Sequence, residues 1–182
     1  FHIQGRMDTN LKQIFRSELF NAYSYADRLF HALNDLADLN YHPGVRNLNL
    51  QLTGDLGLVL DKFKNINDTL GHQYGDYVIQ TVAKIMLDNV RAVDVVARYG
   101  GEEFAIILIN TTAAMSNVVA KRIVSNIAEY KFVMDNVEAR LTISGGMSEY
   151  PTHTKEMKEL IEYADQAMYK TKENGGNDIT IH

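Results

Sequence analysis

Cysteine and tryptophan are absent from this 182-residue chain, and only two prolines occur in it. Without cysteine the chain can form neither a disulfide framework nor a thiolate metal site, which suits a reducing cytoplasm. No stretch approaches the roughly 20 consecutive apolar residues that a membrane-spanning helix needs. The net charge of −5 argues against a broad nucleic-acid surface, because such a surface neutralises many phosphates. A single nucleotide with metal ions remains compatible with this charge, since a local cluster can oppose the global sign.

Length and composition indicate one globular domain with some flanking helix. Hydrophobic residues make up 46% of the chain and charged residues 23%, which are ordinary values for a globular protein. Residues 1–6 read as an expression remnant. Residues 7–16 are expected to belong to an N-terminal linker helix, part of a helical pattern over about 11–39, and residues 17–182 to form the domain.

Apolar periodicity predicts alternating strands and helices further along. An irregular stretch is expected over 41–55. Strands are predicted at 56–60, 93–98, 104–109, within 137–147 and at 178–181. One-faced helices are predicted after Gly75, over about 113–130 and over about 155–173. This order fits an α+β fold with a ferredoxin-like, antiparallel-rich central sheet, and we expect the flanking helices on one side of it.

Two glycines and two glutamates stand between the second and third predicted strands. Gly100 and Gly101 predict a hairpin, because a tight turn favours residues that tolerate positive φ. Glu102 and Glu103 then lie at an exposed turn that a triphosphate could approach. Asp61, which ends the strand at 56–60, could join them in a magnesium site, since magnesium prefers oxygen ligands. Two glutamates beside a turn are otherwise most often a solvated surface.

The complete string from Arg98 to Phe104, Arg-Tyr-Gly-Gly-Glu-Glu-Phe, resembles the GGDEF signature of diguanylate cyclases in its variant with glutamate third. The similarity extends from about Ser17 to the C-terminus. It implies a nucleotidyl-cyclase-like fold that condenses two GTP into cyclic di-GMP, as a homodimer and with Mg²⁺ or Mn²⁺. It also implies that Glu102 is catalytic. The implied metal ligands are Leu60, Asp61, Glu102 and Glu103.

The segment 61–76 resembles the block with which this family binds guanine and phosphate. By that resemblance Asn67 and Asp76 contact the guanine edge. The chemistry agrees, because a carboxylate can accept hydrogen bonds from the guanine N1–H and amine while an amide supplies the complementary bonds. A helix cap at Asn67 or Asp68 is the competing interpretation for either residue.

Other substrate contacts follow from the same resemblance. Lys64 and Lys172 would hold the terminal phosphates as point charges. Phe63, Gly100 and Gly101 complete the implied substrate-binding residues.

A second ligand site is implied by Arg91-Ala92-Val93-Asp94. The string matches the family's RxxD inhibitory site, at which dimeric cyclic di-GMP binds and restrains the cyclase. Arg122 occupies the position of a second arginine that family members bring to this ligand. Guanidinium groups suit phosphate oxygens and guanine. Without this context, Arg91 and Asp94 would be interpreted as a local ion pair.

The metal block departs from the family pattern, which begins with two aspartates separated by one residue. Ungapped alignment puts Val59 at the first aspartate and Asp61 at the second, and valine cannot bind magnesium. Alternatively, the chain is two residues short between Asp61 and Lys62, and Asp61 is the first aspartate. The sequence leaves both alignments open.

Two arginines of the family pattern are also replaced, one by Tyr25 near the start and one by Gly176 after the last predicted helix. The leading hypothesis is nevertheless a diguanylate cyclase domain with a product site. A degenerate domain that binds GTP or cyclic di-GMP without turnover is the second hypothesis, and a purely structural dimerisation module is the third. Such domains are commonly fused to an N-terminal sensory domain, and the full-length protein could be tethered to a membrane.

Overall fold

A computed structural model describes residues 52–182 of the chain. Residues 1–6, the predicted linker helix, the predicted irregular stretch up to residue 51 and Tyr25 lie outside these residues. Within 52–182 no helix combines the length and the apolar content that crossing a membrane requires.

Most strands and helices of the described residues lie where the periodicity predicts them, but the helix over Phe63–Leu70 was not predicted, and the next helix begins at His72, before Gly75. In chain order they are β1 (Leu52–Leu60), α1 (Phe63–Leu70), α2 (His72–Asn89), β2 (Val95–Arg98), β3 (Glu103–Ile109), α3 (Ala113–Glu129), β4 (Phe132–Met134), β5 (Val137–Ala139), β6 (Ile143–Ser148), α4 (Met157–Glu173) and β7 (Ile179–Ile181).

Five of the strands form one sheet in the order β2-β3-β1-β6-β7, with β1 in the middle. The pairs within β2-β3-β1-β6 are antiparallel, and β6 and β7 are parallel. The first four strands in this order have the ferredoxin-like arrangement, in which the first and third strands in chain order, here β1 and β3, are the central pair. The predicted α+β class with an antiparallel-rich sheet is therefore confirmed.

Two predictions about the strands are wrong in detail. β1 begins at Leu52, although 52–55 were expected to be irregular. The register between β1 and β3 shifts between Leu52 and Asp55, so this part of the strand is bulged and carries no clean alternation. The segment 137–147 holds two strands of different sheets, because β5 pairs with β4. Asp135 and Asn136 join this small hairpin with φ of 52° and 64°, as a tight turn requires.

Helices cover both faces of the sheet, so the expectation of helices on one side is wrong. Leu58 belongs to the large core cluster with residues of α2 and α3, such as Val82 and Ile123. Its neighbour Gly57 points to the opposite face, where a Cβ on Gly57 would lie 3.7 Å from Asp165 of α4. On that face Ser148 also donates to the Leu160 carbonyl of α4 at 2.7 Å. Among the helices of residues 52–182, the last one therefore covers the second face.

Candidate active site

The glycine pair closes a hairpin between β2 and β3, as the sequence predicts. The amides of Tyr99 and Gly100 donate to the Glu103 carbonyl at 2.8 and 3.2 Å. The Arg98 guanidinium donates to the carbonyls of Gly100 and Gly101 at 3.0 and 2.6 Å. Arg98 thus fixes the shape of the turn from inside the motif. Its place directly before the turn was the available signal, but the sequence interpretation assigned no separate role to Arg98.

The hairpin brings both glutamates to the end of the central strand. Glu103 lies opposite Val59 in the β1–β3 register, and the Leu60 amide donates to the Glu102 carbonyl at 3.1 Å. The Glu103 side chain is exposed and folds back over the turn, since a Cβ on Gly100 would lie 2.6 Å from its Oε2. The hairpin therefore places both glutamates beside the end of β1, and the exposed Glu103 carboxylate is open to an approaching phosphate group there.

A third carboxylate, that of Asp165 in α4, lies close enough to Glu103 to interact with it electrostatically. Burial raises the pKa of Asp165, and the negative charge of Glu103 raises it further. The sequence did not single out Asp165, because its neighbours Ala164 and Ala167 form the apolar face of the helix and Asp165 reads as solvent-facing. The side chain is in fact largely exposed, so the burial that acts on its carboxylate is partial.

Val59 and Asp61 occupy different surroundings. Val59 is 4% exposed and lies beside Glu103, where it can offer only methyl groups. The Asp61 carboxylate accepts hydrogen bonds from Thr142 Oγ1 and Ser144 Oγ at 2.7 Å each, and from the Asn177 amide at 3.3 Å. Thr142 directly precedes β6, Ser144 lies in it and Asn177 lies in the turn before β7, all on the side of β1 away from β3. The structure thus puts Val59, and not Asp61, opposite the signature glutamate.

The side chains near the hairpin suit a metal ion that takes most of its ligand atoms from the nucleotide and from water. Among residues 52–182 there is no group of three histidine, aspartate or glutamate side chains that could hold a metal ion. Magnesium on a nucleotide usually takes only one or two carboxylates, with phosphate oxygens and water filling the other positions. Glu102 and Glu103 meet that requirement, whereas most of the acceptor positions on Asp61 are already used.

Helices α1 and α2 hold the predicted guanine and phosphate residues. Phe63 begins α1 and is 7% exposed in the core, so its ring has a packing role. Lys64 is exposed. A Cβ on Gly75 would lie 1.9 Å from the Asn67 Oδ1, so the Asn67 side chain rests on the backbone of α2 directly before Asp76. The Asn67 side chain therefore lies beside the backbone of Gly75, the residue that directly precedes Asp76.

The capping interpretation for Asn67 and Asp68 is wrong, because both lie inside α1. The N-cap position belongs to Lys62, whose φ of 58° is left-handed and whose side chain makes no capping hydrogen bond.

The last turn of α4 carries Lys172, which is exposed. Gly175 and Gly176 reverse the chain there with φ of 106° and 73°, and the Gly176 amide donates to the Thr171 carbonyl at 3.0 Å. A Cβ on Gly176 would lie 2.9 Å from Ser144 Oγ. Glycine thus fits a crowded left-handed position, at which the sequence interpretation expects an arginine in the family.

The RxxD residues form a tight local unit. Arg91 makes a bidentate pair with Asp94, through Nε at 3.1 Å and Nη2 at 2.8 Å. The hydrogen bonds that Arg91 donates to the Asp94 carboxylate raise the pKa of Arg91. Arg122 donates to the side chain and carbonyl of Asn89 at 2.9 and 2.7 Å, at the end of α2. Both arginines therefore lie around the end of α2, with 56% of the Arg91 side chain exposed.

Comparison with protein families matches residues 49–178 to the model described as diguanylate cyclase, GGDEF domain. The chain belongs to the GGDEF domain family. Diguanylate cyclase A of Treponema denticola is 44% identical over 122 residues, which are 67% of this chain and 33% of that protein. Protein YtrP of Bacillus subtilis is 42% identical over 124 residues and is matched over 20% of its length. The chain thus spans about a fifth to a third of these relatives.

Solved GGDEF domains share the fold. The GGDEF domain of DgcB from Caulobacter crescentus, in complex with c-di-GMP, superposes with a TM-score of 0.67 at 32% identity, over 70% of this chain and 76% of that one. The active GGEEF domain of a diguanylate cyclase from Vibrio cholerae gives 0.65 at 32% identity, over 70% and 81%. The family predicted from the signature string is confirmed.

Proposed function

We propose that this chain is the catalytic domain of a diguanylate cyclase, which condenses two GTP into cyclic di-GMP and releases pyrophosphate. The observation that carries the proposal is the Gly-Gly-Glu-Glu hairpin, which sets two carboxylates beside the end of the central strand in a chain of the GGDEF family. The relative from Treponema denticola, which is 44% identical to this chain, is named diguanylate cyclase A.

Each half-reaction is an attack by a GTP 3′-hydroxyl oxygen on the α-phosphorus of the other GTP. A new P–O bond forms, the bond to the β-phosphate bridging oxygen breaks, and pyrophosphate leaves. Glu102 takes the hydroxyl proton in this proposal. Two such steps close the ring, so two subunits face each other, and each holds one GTP.

The substrate contacts follow the sequence interpretation. Asn67 and Asp76 hydrogen-bond the guanine edge, and the contact of Asn67 with Gly75 supports their joint action. Lys64 and Lys172 hold the terminal phosphates. The backbone of Gly100 and Gly101 lets the triphosphate approach closely.

Magnesium or manganese fits at Glu102 and Glu103, with the Leu60 carbonyl beside them. The metal would neutralise the phosphate charge that develops during transfer. The predicted role of Asp61 as a further ligand finds no support in its contacts with Thr142, Ser144 and Asn177.

The direct test is incubation with GTP and magnesium, with cyclic di-GMP measured by chromatography. We expect product, and we expect the rate per subunit to rise with protein concentration, because two subunits must meet. Glu102→Gln should lower the rate by at least about a hundredfold. Asp88→Asn, which removes an exposed carboxylate paired only with Lys84, is the matched control. Folded protein that makes no product at high concentration would refute the cyclase proposal.

A second function is favoured by the buried Val59 beside Glu103, which leaves one fewer carboxylate than the family pattern. In this alternative the domain binds GTP or cyclic di-GMP and signals without turnover. Calorimetry separates the two functions. The binding module predicts tight cyclic di-GMP binding that Arg91→Ala abolishes, with no product from GTP. In the cyclase, the same site would serve product inhibition through Arg91, Asp94 and Arg122.

A further inference from the structure

Asp61 is the centre of a set of hydrogen bonds that joins three segments of the chain. Its carboxylate accepts from Thr142 Oγ1 and Ser144 Oγ at 2.7 Å each, and from the Asn177 amide at 3.3 Å. Its own amide donates to the Thr142 carbonyl at 2.9 Å. The Asn177 amide also donates to Ser144 Oγ at 3.0 Å. We call this set the Asp61 latch.

The latch connects the two elements that carry the phosphate-binding lysines. On one side, Asp61 is followed by Lys62 in a left-handed conformation and then by α1 with Lys64. A non-glycine residue keeps that conformation only where its surroundings impose it. On the other side, Asn177 ends the turn that terminates α4, whose last turn carries Lys172.

The turn after α4 is short and is held by backbone hydrogen bonds, so Asn177 of the latch lies directly beside the last turn of the helix. The Gly175 and Gly176 amides donate to the carbonyls of Lys172 and Thr171 at 3.2 and 3.0 Å. Movement of Asn177 would therefore move the last turn of α4. Charge-assisted bonds from a carboxylate to hydroxyl and amide donors are the stronger kind of hydrogen bond.

We infer that Asp61 is a positioning residue for the triphosphate and not a metal ligand. Its carboxylate fixes the end of β1 to β6 and to the turn after α4. This sets the spacing between Lys64 and Lys172. The inference rests on the proposed function, because it assigns these two lysines to the terminal phosphates.

Steady-state kinetics with variants of the latch test this role. Asp61→Asn and the double variant Thr142→Val/Ser144→Ala should each raise KM for GTP about tenfold, with a smaller change in kcat. The magnesium concentration for half-maximal rate should stay within about twofold of the parent protein. Combining Asp61→Asn with the double variant should add little, because both remove the same contacts. Thr142→Ser keeps the hydroxyl group. A protein that carries Thr142→Ser instead of Thr142→Val should therefore regain the KM of the parent protein.

The opposite pattern would overturn the inference. A metal ligand predicts that Asp61→Asn raises the half-maximal magnesium concentration about tenfold, while the hydroxyl variants leave all constants unchanged. Asp88→Asn controls for loss of an aspartate charge, since this residue only pairs with Lys84. Thermal unfolding of each variant confirms that it is folded.

Amide hydrogen exchange separates failure of the latch from failure of the proposed function, because it needs no substrate. Exchange at Asn177 and Gly176 should become faster in Asp61→Ala and in Ser144→Ala, but not in Glu102→Gln. If the parent protein makes no cyclic di-GMP, the cyclase proposal fails while this exchange pattern still supports the latch. Unchanged exchange in Asp61→Ala would overturn the latch, whatever the activity.

Discussion

At the scale of single residues, two departures that the sequence suggests lie on either side of Asp61. The ungapped interpretation puts Val59 at a family aspartate and Gly176 at a family arginine, and the Asp61 carboxylate accepts a hydrogen bond from Asn177 in the turn that contains Gly176. The two aspartate Oδ atoms would lie only 3.3 and 3.4 Å from a Cβ on Gly176. A side chain at position 176 would therefore crowd the latch, so an arginine there has a structural cost.

We predict that Gly176→Arg lowers the free energy of unfolding by about 1–2 kcal/mol, because a side chain there has φ of 73° and meets Ser144 Oγ at 2.9 Å. It should not tighten GTP binding, although it restores a cation of the family pattern. Urea denaturation and calorimetry measure the two effects. Asn174→Arg adds the same charge nearby at φ of −84° and should leave stability nearly unchanged. A Gly176→Arg protein as stable as the parent would contradict this prediction.

Asp178 gives a prediction about pH. The Ile179 amide donates to its carboxylate at 2.8 Å and Lys121 pairs with it at 3.0 Å, and both interactions lower the pKa of Asp178, the amide more strongly. A carboxylate whose pKa is lowered in the folded state stabilises the protein at pH values above its ordinary pKa of 3.8. This stabilisation is lost as the pH falls through the pKa of the folded state.

Asp178→Asn should therefore unfold more easily at pH 7, by less than about 1 kcal/mol because the pair is exposed. The difference from the parent protein should shrink as the pH falls below 3.8. Urea denaturation at several pH values measures it. Lys121→Gln, which keeps the backbone hydrogen bond, should show a smaller difference. A difference that grows toward acid would refute the assignment.

At the scale of elements, alternation and helical spacing predicted most of the described strands and helices, since each buries a regular apolar face. The hairpin of β4 and β5 was missed because its strands have three residues each, too few to show a period. The signature string predicted the position of Glu102 and Glu103. The contacts of Asp61 could not be predicted, because they depend on the register of β1 with β6, far along the chain.

The contact between α1 and α2 makes Gly75 a test of guanine recognition. A Cβ there would lie 1.9 Å from Asn67 Oδ1, so Gly75→Ala should displace the Asn67 side chain and weaken GTP binding about tenfold. Alanine favours the helix over glycine by up to about 1 kcal/mol, so stability should fall little. Calorimetry with GTP measures the affinity. Gly57→Ala, whose Cβ has its nearest neighbour at 3.7 Å, is the control. Unchanged affinity in Gly75→Ala would remove Asn67 from the guanine site.

At the scale of the whole molecule, β3 separates the two proposed sites. Glu103 begins the strand and Ile109 ends it, where the Ile109 amide donates to Asp94 at 3.1 Å. Seven residues of strand span about 20 Å, so a ligand on Arg91 cannot touch the glutamates of the same subunit. If the product inhibits this domain, the effect must pass through β3 or through the arrangement of two subunits.

The attachment of α4 to the second face of the sheet depends on Gly146. A Cβ there would lie 2.0 Å from the Ala164 carbonyl oxygen and 2.1 Å from the Met168 amide nitrogen. Both atoms belong to helix backbone and cannot rotate away, so the helix would have to move as a body. Because the same helix carries Lys172 and Asp165, such a movement would affect stability and nucleotide binding together.

We therefore predict that Gly146→Ala lowers the free energy of unfolding by about 3 kcal/mol or more, by overpacking a contact that leaves no room. Urea denaturation followed by circular dichroism measures the loss. Gly57→Ala adds the same methyl group on the same face of the sheet, where the nearest atom is at an ordinary 3.7 Å, and should change stability much less. Equal unfolding midpoints for the two variants would show that α4 is held loosely. In that case the position of Lys172 would depend on the turn at Asn177 more than on packing against Gly146.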